Sequence, residues 1–362
     1  MAGKFIVRPM REIDLNDSIF DSLKTDYPGT QTSTGFVEWF AKKANLGQDA
    51  IIFEDETGLG AFIVLKEQED EAIRLTHRIL PSIIRTKIST LKLAERFRGQ
   101  RFGEGAIGLI LWQWQKYKTN EIYVTVHEKY DMLIGLLKRF GFMYVGNNLD
   151  GESVYIKSRS NIDYRDPYKA FPFVNPQMET SGYLIVNDHY HDTMFPYSEL
   201  KNTVQKQLGK YVANGLTKCY IGKGQIPPYK KGDPILIYRK YTGDTGSGYK
   251  SCITSYCVVT DVFVVKSNGQ TYIAFEDLWR RIRNKTVFER EEIQEKYMNS
   301  NLIVIEMLYY GYFGAGNNVN WWWLKNNGFW PDKYPSTARL SKDQFMAILK
   351  EGDVDVSNVI ID

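Results

Sequence analysis

Residues 96–108, RFRGQRFGEGAIG, carry two overlapping glycine patterns, and either one can hold phosphate groups. Gly103, Gly105 and Gly108 form G-x-G-x-x-G, the fingerprint of a dinucleotide-binding turn. Gln100, Gly103 and Gly105 form Q-x-x-G-x-G, a loop suited to the pyrophosphate of an acyl-CoA. The same glycines therefore predict two different ligands.

The residues before the glycines distinguish the two patterns. In a dinucleotide-binding unit the first glycine directly follows a buried strand, whereas the segment before Gly103 is polar and basic. A dinucleotide-binding unit also has an acidic residue further along the chain, and Glu128 matches it. The absence of a strand directly before Gly103 is nevertheless the stronger evidence, and it argues against a dinucleotide. A basic, glycine-containing loop before a helix favours acyl-CoA, because free N–H groups and the helix dipole attract phosphate. Arg98 and Arg101 can add positive charge for the 3′-phosphate.

The elements around this loop alternate between strands and helices. Gly141 is placed to end a helix that starts near Met132. The predicted elements are strand 5–10, helix 14–27, a helix capped by Thr34 with Phe36, Trp39 and Phe40 on its apolar face, hairpin 50–67, strand 88–93, helix 106–117, strand 121–128, helix 132–140 and two closing strands.

The composition changes after residue 158, which divides the chain. Residues 161–177 are polar and proline-containing, and they are predicted to form a linker. Beyond them the pattern is mainly β and predicts the strands TKCYIG, DPILIYRKY, SCITSYCVVTDVFVV and NLIVIEMLYYGYF and one helix, FEDLWRRIRNK. Short strands with few helices predict a small closed barrel. We therefore expect an α+β protein with domains at 1–160 and 178–362.

The bulk composition limits the class of protein. The chain has 362 residues, enough for two cores, and a net charge of +3, too small to indicate general nucleic-acid binding. Aromatic residues make up 14%, a surplus that suits stacking on flat ligands as well as packing. No stretch is long and apolar enough to cross a membrane, and the N-terminus lacks a signal-peptide core. The three cysteines have no metal-ligand or disulfide spacing, so we expect a cytoplasmic protein.

Residues 5–158 resemble the GNAT superfamily of acyl-CoA-dependent N-acyltransferases, in element order, in the loop RGQRFGEGA and in the downstream RFGF. The resemblance implies a mixed sheet with flanking helices and acetyl-CoA as cofactor. It implies that backbone groups of the preceding strand pair with pantetheine and that loop amides hold the pyrophosphate. The implied cofactor-binding residues are Leu91, Lys92, Leu93, Arg98, Gln100, Arg101, Phe102, Gly103, Glu104, Gly105 and Ala106.

One position departs from that family. Its members often have a tyrosine four residues before the glycine of G-F as general acid, and Leu137 stands there. Tyr130, or His127 and Glu128 at the end of the preceding strand, can replace that acid, or solvent can supply the proton; Tyr130 can also simply be a packing residue. His127 is a candidate base because its ordinary pKa lies near neutrality, but it can equally bond locally at the strand end. Glu95 is a second candidate base or the partner of Arg96 or Arg98.

Residues 218–313 resemble PUA-like domains of the ASCH and EVE type, on YKKGDPILIYR and ITSYCVVTDVFVV. The resemblance implies a β-barrel that binds RNA or a modified base. A basic cluster on the predicted helix adds either phosphate contacts or a solvated face. The implied nucleic-acid-binding residues are Lys230, Lys231, Tyr238, Arg239 and Ser255, with Arg281 and Arg283 from the basic cluster.

Two further motifs have alternative interpretations. His189 and His191 lie two residues apart, which suits one face of a strand, but the pattern favours a surface loop and we predict no metal site. The run Trp321–Trp323 can stack on bases or fill a core, and the core is favoured.

Together these patterns predict an acetyl-CoA-dependent N-acetyltransferase whose second domain recruits RNA, with an amine on RNA or tRNA as acceptor. The alternatives are acetylation of a protein or a small amine, with a structural second domain, and a non-catalytic protein that binds acyl-CoA or nucleic acid.

Overall fold

The computed structural model describes residues 5–29, 34–201, 210–223, 228–332 and 335–361. The chain divides into two compact units. The N-terminal unit comprises Met1–Lys138 and Phe142–Ser160, and the C-terminal unit comprises Arg139–Gly141 and Asn161–Asp362.

The N-terminal unit is built on one mixed sheet of seven strands. The strands follow one another in the order β1-β2-β3-β4-β5-β7-β6, and only β4 and β5 run parallel. The elements are β1 (Ile6–Pro9), α1 (Asp21–Asp26), α2 (Phe36–Asn45), β2 (Asp49–Asp55), β3 (Gly58–Arg74), β4 (Ile79–Leu93), α3 (Phe102–Tyr117), β5 (Glu121–Val126), α4 (Asp131–Arg139), β6 (Met143–Asn147) and β7 (Ser153–Ser158).

Helices cover both faces of this sheet, because side chains of β3 alternate between two apolar clusters. Phe62 and Val64 pack in a cluster with Phe36 and Phe40 of α2. Ala61, on the opposite face, packs with Phe102 at the start of α3. The result is the mixed sheet with flanking helices that the resemblance implied for this part of the chain.

Two boundaries in the N-terminal unit differ from the prediction. The strand before the glycine loop starts at Ile79, and its first half forms a long hairpin with β3. Helix α3 starts at Phe102, four residues before the predicted Ala106, because Arg101 adopts a left-handed conformation (φ 64°) and turns the chain into the helix. Gly103 and Gly105 therefore lie in the first turn of α3.

The C-terminal unit contains one eight-stranded sheet and more helices than predicted. Its elements are α5 (Pro167–Ala170), β8 (Thr180–Asn187), α6 (Asp188–Met194), β9 (Thr217–Gly222), β10 (Pro234–Lys240), α7 (Ser247–Lys250), β11 (Cys252–Ser267), β12 (Gln270–Thr271), α8 (Phe275–Ile282), α9 (Arg290–Asn299), β13 (Leu302–Tyr312), β14 (Val319–Asn320), α10 (Trp321–Asn326), β15 (Leu340–Ser341), α11 (Lys342–Glu351) and α12 (Val356–Val359).

The predicted closed barrel is wrong for the described residues. The sheet is open, with the path β15-β8-β10-β11-β13-β9, and β12 and β14 pair only with β11. The sheet does not need to curl on itself to bury its apolar side chains, because helices cover one of its faces. Leu278 and Ile282 of α8 and Ile293 of α9 share a core cluster with Val304 of β13. The four predicted strands are confirmed as β9, β10, β11 and β13, and the predicted helix as α8.

The segment predicted as a linker contains ordered structure. Asp166 caps the short helix α5, and Phe171 and Phe173 have no exposed surface. Among the described residues, no helix is both long enough and apolar enough to cross a bilayer.

Candidate functional site

Strands β4 and β5 separate part-way along their length. They pair only between Arg85–Ile88 and Glu121–Val124. Ser89 is an extra residue at this point, because Leu65 pairs with Ile88 while the preceding Val64 pairs with Thr90. A β-bulge of this kind bends the strand, so the end of β4 diverges from β5.

A cavity of about 710 Å³ occupies the opening between the two strands. We call it the inter-strand pocket. It is lined by the end of β4, the start of α3, the end of β5 and one side of α4. All three predicted catalytic residues line it, as do eight of the predicted cofactor-binding residues. These are His127, Glu95 and Tyr130, together with Leu91, Lys92, Leu93, Arg98, Arg101, Phe102, Gly103 and Glu104.

The other three predicted cofactor-binding residues lie behind the pocket wall. Gly105 and Ala106 are buried within α3. The Gln100 side chain donates a hydrogen bond to the carbonyl oxygen of Arg96 (2.9 Å), which holds the loop in shape. These residues support the pocket but do not line it.

The start of α3 presents backbone N–H groups to the pocket, since the N–H groups of a helix's first turn have no partner within the helix. Gly103 lies on this wall, and a Cβ atom at that position would lie 3.2 Å from Cδ2 of Leu136 on α4. The glycine therefore keeps the space in front of the helix end open. Arg101 and Glu104 form an ion pair (2.9 Å), so the carboxylate in the first turn is compensated.

Three other charged residues of the wall have partners. Arg98 and Glu95 form an exposed ion pair (2.8 Å), one of the two alternatives that the sequence left open for Glu95. Lys92 Nζ donates to Ser22 Oγ (2.6 Å), which ties β4 to α1. The Arg98 side chain is largely exposed, so it can leave Glu95 and pair with a ligand phosphate instead.

The end of β5 brings together three polar side chains from distant parts of the chain. The Tyr27 hydroxyl donates to Glu152 Oε1 (3.1 Å), and the same oxygen lies 3.7 Å from Nε2 of His127. The rings of Tyr27 and His127 are 5.4 Å apart. Burial and the neighbouring Glu152 raise the pKa of Tyr27, so it stays a hydrogen-bond donor. We call these three residues the His127 cluster.

Tyr130 lies beside this cluster and is also a donor. Its hydroxyl donates to the carboxylate of Asp26, which also pairs with Lys129 (2.7 Å). The hydrogen bonds from Lys129 and Tyr130 lower the pKa of Asp26, whereas burial and the contact with Asp26 raise the pKa of Tyr130. Tyr130 therefore carries a proton at neutral pH. Leu137 has no exposed surface and belongs to the core.

Three residues of this region, Tyr27, Asp26 and Glu152, were not predicted from the sequence. Glu152 follows Tyr27 by 125 residues, and Tyr130 follows Asp26 by 104. No local motif contains either pair. The nearest signal was the aromatic and acidic end of the first predicted helix, Asp26-Tyr27.

Comparison with solved structures finds acetyltransferases that match the N-terminal part of the chain. A GNAT-family acetyltransferase from Listeria monocytogenes is 18% identical, with 42% of this chain and 94% of that chain covered and a TM-score of 0.31. An N-acetyltransferase from Staphylococcus aureus is 11% identical, with coverage of 43% and 98% and a TM-score of 0.31. An acetyltransferase from Thermus thermophilus is 13% identical, with coverage of 44% and 97% and a TM-score of 0.31.

No family model matches the chain, and neither does the sequence of any curated protein. The solved structures are too distant from this chain in sequence and in structure to assign it an activity or a substrate.

The predicted nucleic-acid residues of the C-terminal unit do not form one surface. Ser255 and Tyr238 are buried, and Arg239 is buried in a two-pronged ion pair with Asp192 (2.8 and 2.9 Å). Arg281 pairs with Asp261 (2.5 Å). Tyr238, Arg239 and Ser255 are thus corrected to core residues, because β10 is buried from Pro234 to Arg239 and β11 is buried over its first half. The members that remain exposed are Lys230, Lys231, Arg281 and Arg283.

The histidine pair lies in helix α6 and not in a surface loop. His189 is exposed, whereas His191 is fully buried. The ring of His191 forms hydrogen bonds with Asp192 (2.9 Å) and Thr254 (2.7 Å), and burial lowers its pKa. The three cysteines are buried free thiols.

Proposed function

We propose that the N-terminal unit is an N-acyltransferase that takes its acyl group from acetyl-CoA. The observation that carries this proposal is the inter-strand pocket, which joins the diverging end of β4, the start of α3 and the end of β5 in one cavity. Acetyl-CoA supplies an acyl group activated as a thioester. The residues of the pocket must then bind an extended chain, hold phosphate and remove a proton from an amine.

The end of β4 suits the extended part of the ligand. Beyond Ile88 this strand has lost β5 as a partner, while its other edge remains paired with β3 as far as Leu93. Its free backbone N–H and C=O groups can pair with the amide groups of pantetheine as they would with a strand. This supports Leu91, Lys92 and Leu93 as cofactor-binding residues.

The start of α3 suits the pyrophosphate. The backbone N–H groups at the N-terminal end of a helix point toward the space in front of it and, with the helix dipole, favour a bound anion. Gly103 leaves room for it, and the Arg101–Glu104 ion pair removes the repulsion that Glu104 would otherwise cause. Arg98 supplies a mobile positive charge at the edge of the pocket.

The His127 cluster suits removal of the proton from the acceptor amine. A neutral His127 accepts the proton as the amine nitrogen attacks the thioester carbonyl carbon. Glu152, 3.7 Å away, stabilises the resulting imidazolium and orients the ring. The new C–N bond replaces the C–S bond, and Tyr130 or water returns a proton to the departing sulfur.

The test is transfer of label from acetyl-CoA into a cell lysate that is then separated into RNA, protein and small molecules. We expect His127→Ala to lower the transfer rate by about 100-fold, the lower end for loss of a general base. His189→Ala is the matched control, because His189 is an exposed histidine of the C-terminal unit. Equal rates for His127→Ala and the unchanged protein would remove His127 from the mechanism.

The lysate fractions also separate the proposed acceptors. We propose an amine on RNA or tRNA as the acceptor, and label in the RNA fraction alone supports it. Label in protein or small amines instead assigns the transferase to those acceptors. In that case replacing the exposed Arg281 and Arg283 by alanine leaves the rate unchanged.

One observation favours a second function, binding of acyl-CoA without transfer. Leu137 occupies the usual position of the acid and is buried, and the Tyr130 hydroxyl already donates to Asp26. A protein of this kind binds CoA in calorimetry and transfers label to no fraction.

A further inference from the structure

The tryptophan run of the C-terminal unit is only partly a core feature. Trp323 packs on Phe329 (5.5 Å between ring centroids), but both rings are only half-buried, so the favoured core interpretation is not confirmed. Trp322, however, is 41% exposed, and Tyr249 beside it is 73% exposed. Their ring centroids lie 6.3 Å apart. Large aromatic side chains exposed side by side indicate a contact surface.

The exposed indole is held in a fixed position. A Cβ atom on residue 248 would lie 2.6 Å from Nε1 of Trp322, so the indole lies directly against the backbone of Gly248. The ring of Trp321 also contacts it edge-on, with 4.8 Å between the ring centroids. Helices α7 and α10 thus present Trp322 as a rigid flat face that needs little ordering when a ligand binds.

Two lysines of this region lie over aromatic rings. Lys325 Nζ lies 5.0 Å from the ring centroid of Trp321, and Lys250 Nζ lies 4.6 Å from that of Tyr241. Residues 240–250 and 321–328 contain three lysines, Lys240, Lys250 and Lys325, against one acidic residue, Asp244. We call the six residues Tyr241, Tyr249, Lys250, Trp321, Trp322 and Lys325 the aromatic–lysine patch.

We propose that the aromatic–lysine patch binds single-stranded RNA. Unpaired bases stack on exposed aromatic rings, and lysines contact the phosphates between them. Protein–protein interfaces are also rich in tryptophan and tyrosine, but lysine is depleted in them, whereas here it accompanies the rings. The exposed side chains of Ser247 and Asn326, on the same two helices, offer polar groups for a ribose 2′-hydroxyl. This site is distinct from the nucleic-acid residues that the sequence predicted.

The experiment measures binding of a fluorescent twelve-nucleotide RNA to the full chain by anisotropy at fixed salt, without acetyl-CoA. We expect Trp322→Ala and Tyr249→Ala each to weaken binding by about 5-fold or more, the effect of losing one stacked base. Tyr272→Ala is the matched control, because Tyr272 is a 56% exposed tyrosine of the same unit outside the patch. Tyr249→Ala also guards against misfolding, since so exposed a ring contributes little to the core.

Two further measurements test the nature of the ligand. Lys250→Gln should lower the slope of log affinity against log salt by about 0.7, as expected for one phosphate contact on a single strand. An RNA duplex and a DNA strand of the same sequence should bind more weakly than the single-stranded RNA. Absence of binding, equal affinity for duplex RNA, tighter binding of DNA, or equal affinities for Trp322→Ala, Tyr249→Ala and Tyr272→Ala would each overturn the proposal.

Discussion

Substitution of Gly103 should weaken CoA binding while leaving the fold intact. The residue lies in the first turn of α3, and a Cβ atom there would lie 3.2 Å from Leu136 Cδ2 and 3.7 Å from Leu93 Cδ1. The closer of these is the end of a flexible side chain, which can move by a few tenths of an ångström. A carboxylate in the first turn also interacts favourably with the helix dipole, by about 0.3–1 kcal/mol. Gly103→Asp should therefore be at least as stable as the unchanged protein.

The effect on the ligand has the opposite sign. Two like charges about 4 Å apart repel by about 1 kcal/mol in water and about 4 kcal/mol at the effective dielectric constant of a protein surface. We therefore expect Gly103→Asp to weaken CoA binding by about 5-fold to several hundred-fold. Gly103→Asn has nearly the same shape without the charge, so the difference between the two variants isolates the repulsion.

The assay is calorimetric titration of CoA into each variant, with thermal unfolding of the same samples. Gly135→Asp is the matched control, because Gly135 is an exposed glycine on α4 with no atom within 4 Å of its added Cβ. We expect it to bind CoA like the unchanged protein. Equal affinities for Gly103→Asn and Gly103→Asp would refute the argument, because the pyrophosphate would then not lie at this helix end.

Four other predictions concern individual side chains. Tyr130→Phe should lower the rate of acyl transfer about 100-fold with an unchanged dissociation constant for CoA, if Tyr130 supplies the proton to the departing sulfur; an unchanged rate in a stopped-flow assay assigns that proton to water. Leu137→Ala should destabilise the protein by about 2–5 kcal/mol in urea because it opens a cavity in the core, and CoA affinity should persist. Because the folded pKa of Asp26 is depressed, its contribution to stability is complete above its unfolded pKa and is lost as pH falls through the folded value. The Asp26→Asn variant should thus be less stable than the unchanged protein at pH 7, and its free energy of unfolding in urea should fall less between pH 5 and pH 2. Identical pH profiles for the two proteins would contradict this. Asp192→Ala should destabilise the C-terminal unit by about 3–5 kcal/mol because the buried Arg239 loses its two-pronged partner and keeps only Asp188, 3.9 Å away. Unfolding that matches the unchanged protein would show that the pair contributes little.

Much of the N-terminal unit could be predicted because its signals are local. Apolar alternation located the end of β4, and the glycine pattern indicated that a helix follows the loop, although four residues late. The start of β4 was missed because residues 79–84 are largely exposed, so burial imposes no clear alternation on them. The start of α3 was misplaced because it depends on the left-handed conformation of Arg101, which is unusual for a residue other than glycine.

The C-terminal unit was predicted less well because the sequences of its strands do not show whether the sheet closes into a barrel or stays open. Long apolar strands fit a closed barrel and an open sheet covered by helices equally well. The short helix α6 and the helix α11 were missed, and these help to cover the sheet. Arg239 has the sequence context of a surface cation, but its strand lies between β8 and β11, and Asp192 neutralises it there.

The sequence by itself determined that a basic, glycine-containing loop leads into a helix, which strands and helices precede and follow that loop along the chain, and that position 137 carries no acid. These features are local, since each depends on a residue type or on periodicity within one element. Only the tertiary structure decided that Tyr27, His127 and Glu152 meet, that Tyr238 and Ser255 are buried and that Trp322 is exposed. Periodicity records which face of an element is apolar, but the element that covers that face is chosen by packing between distant segments.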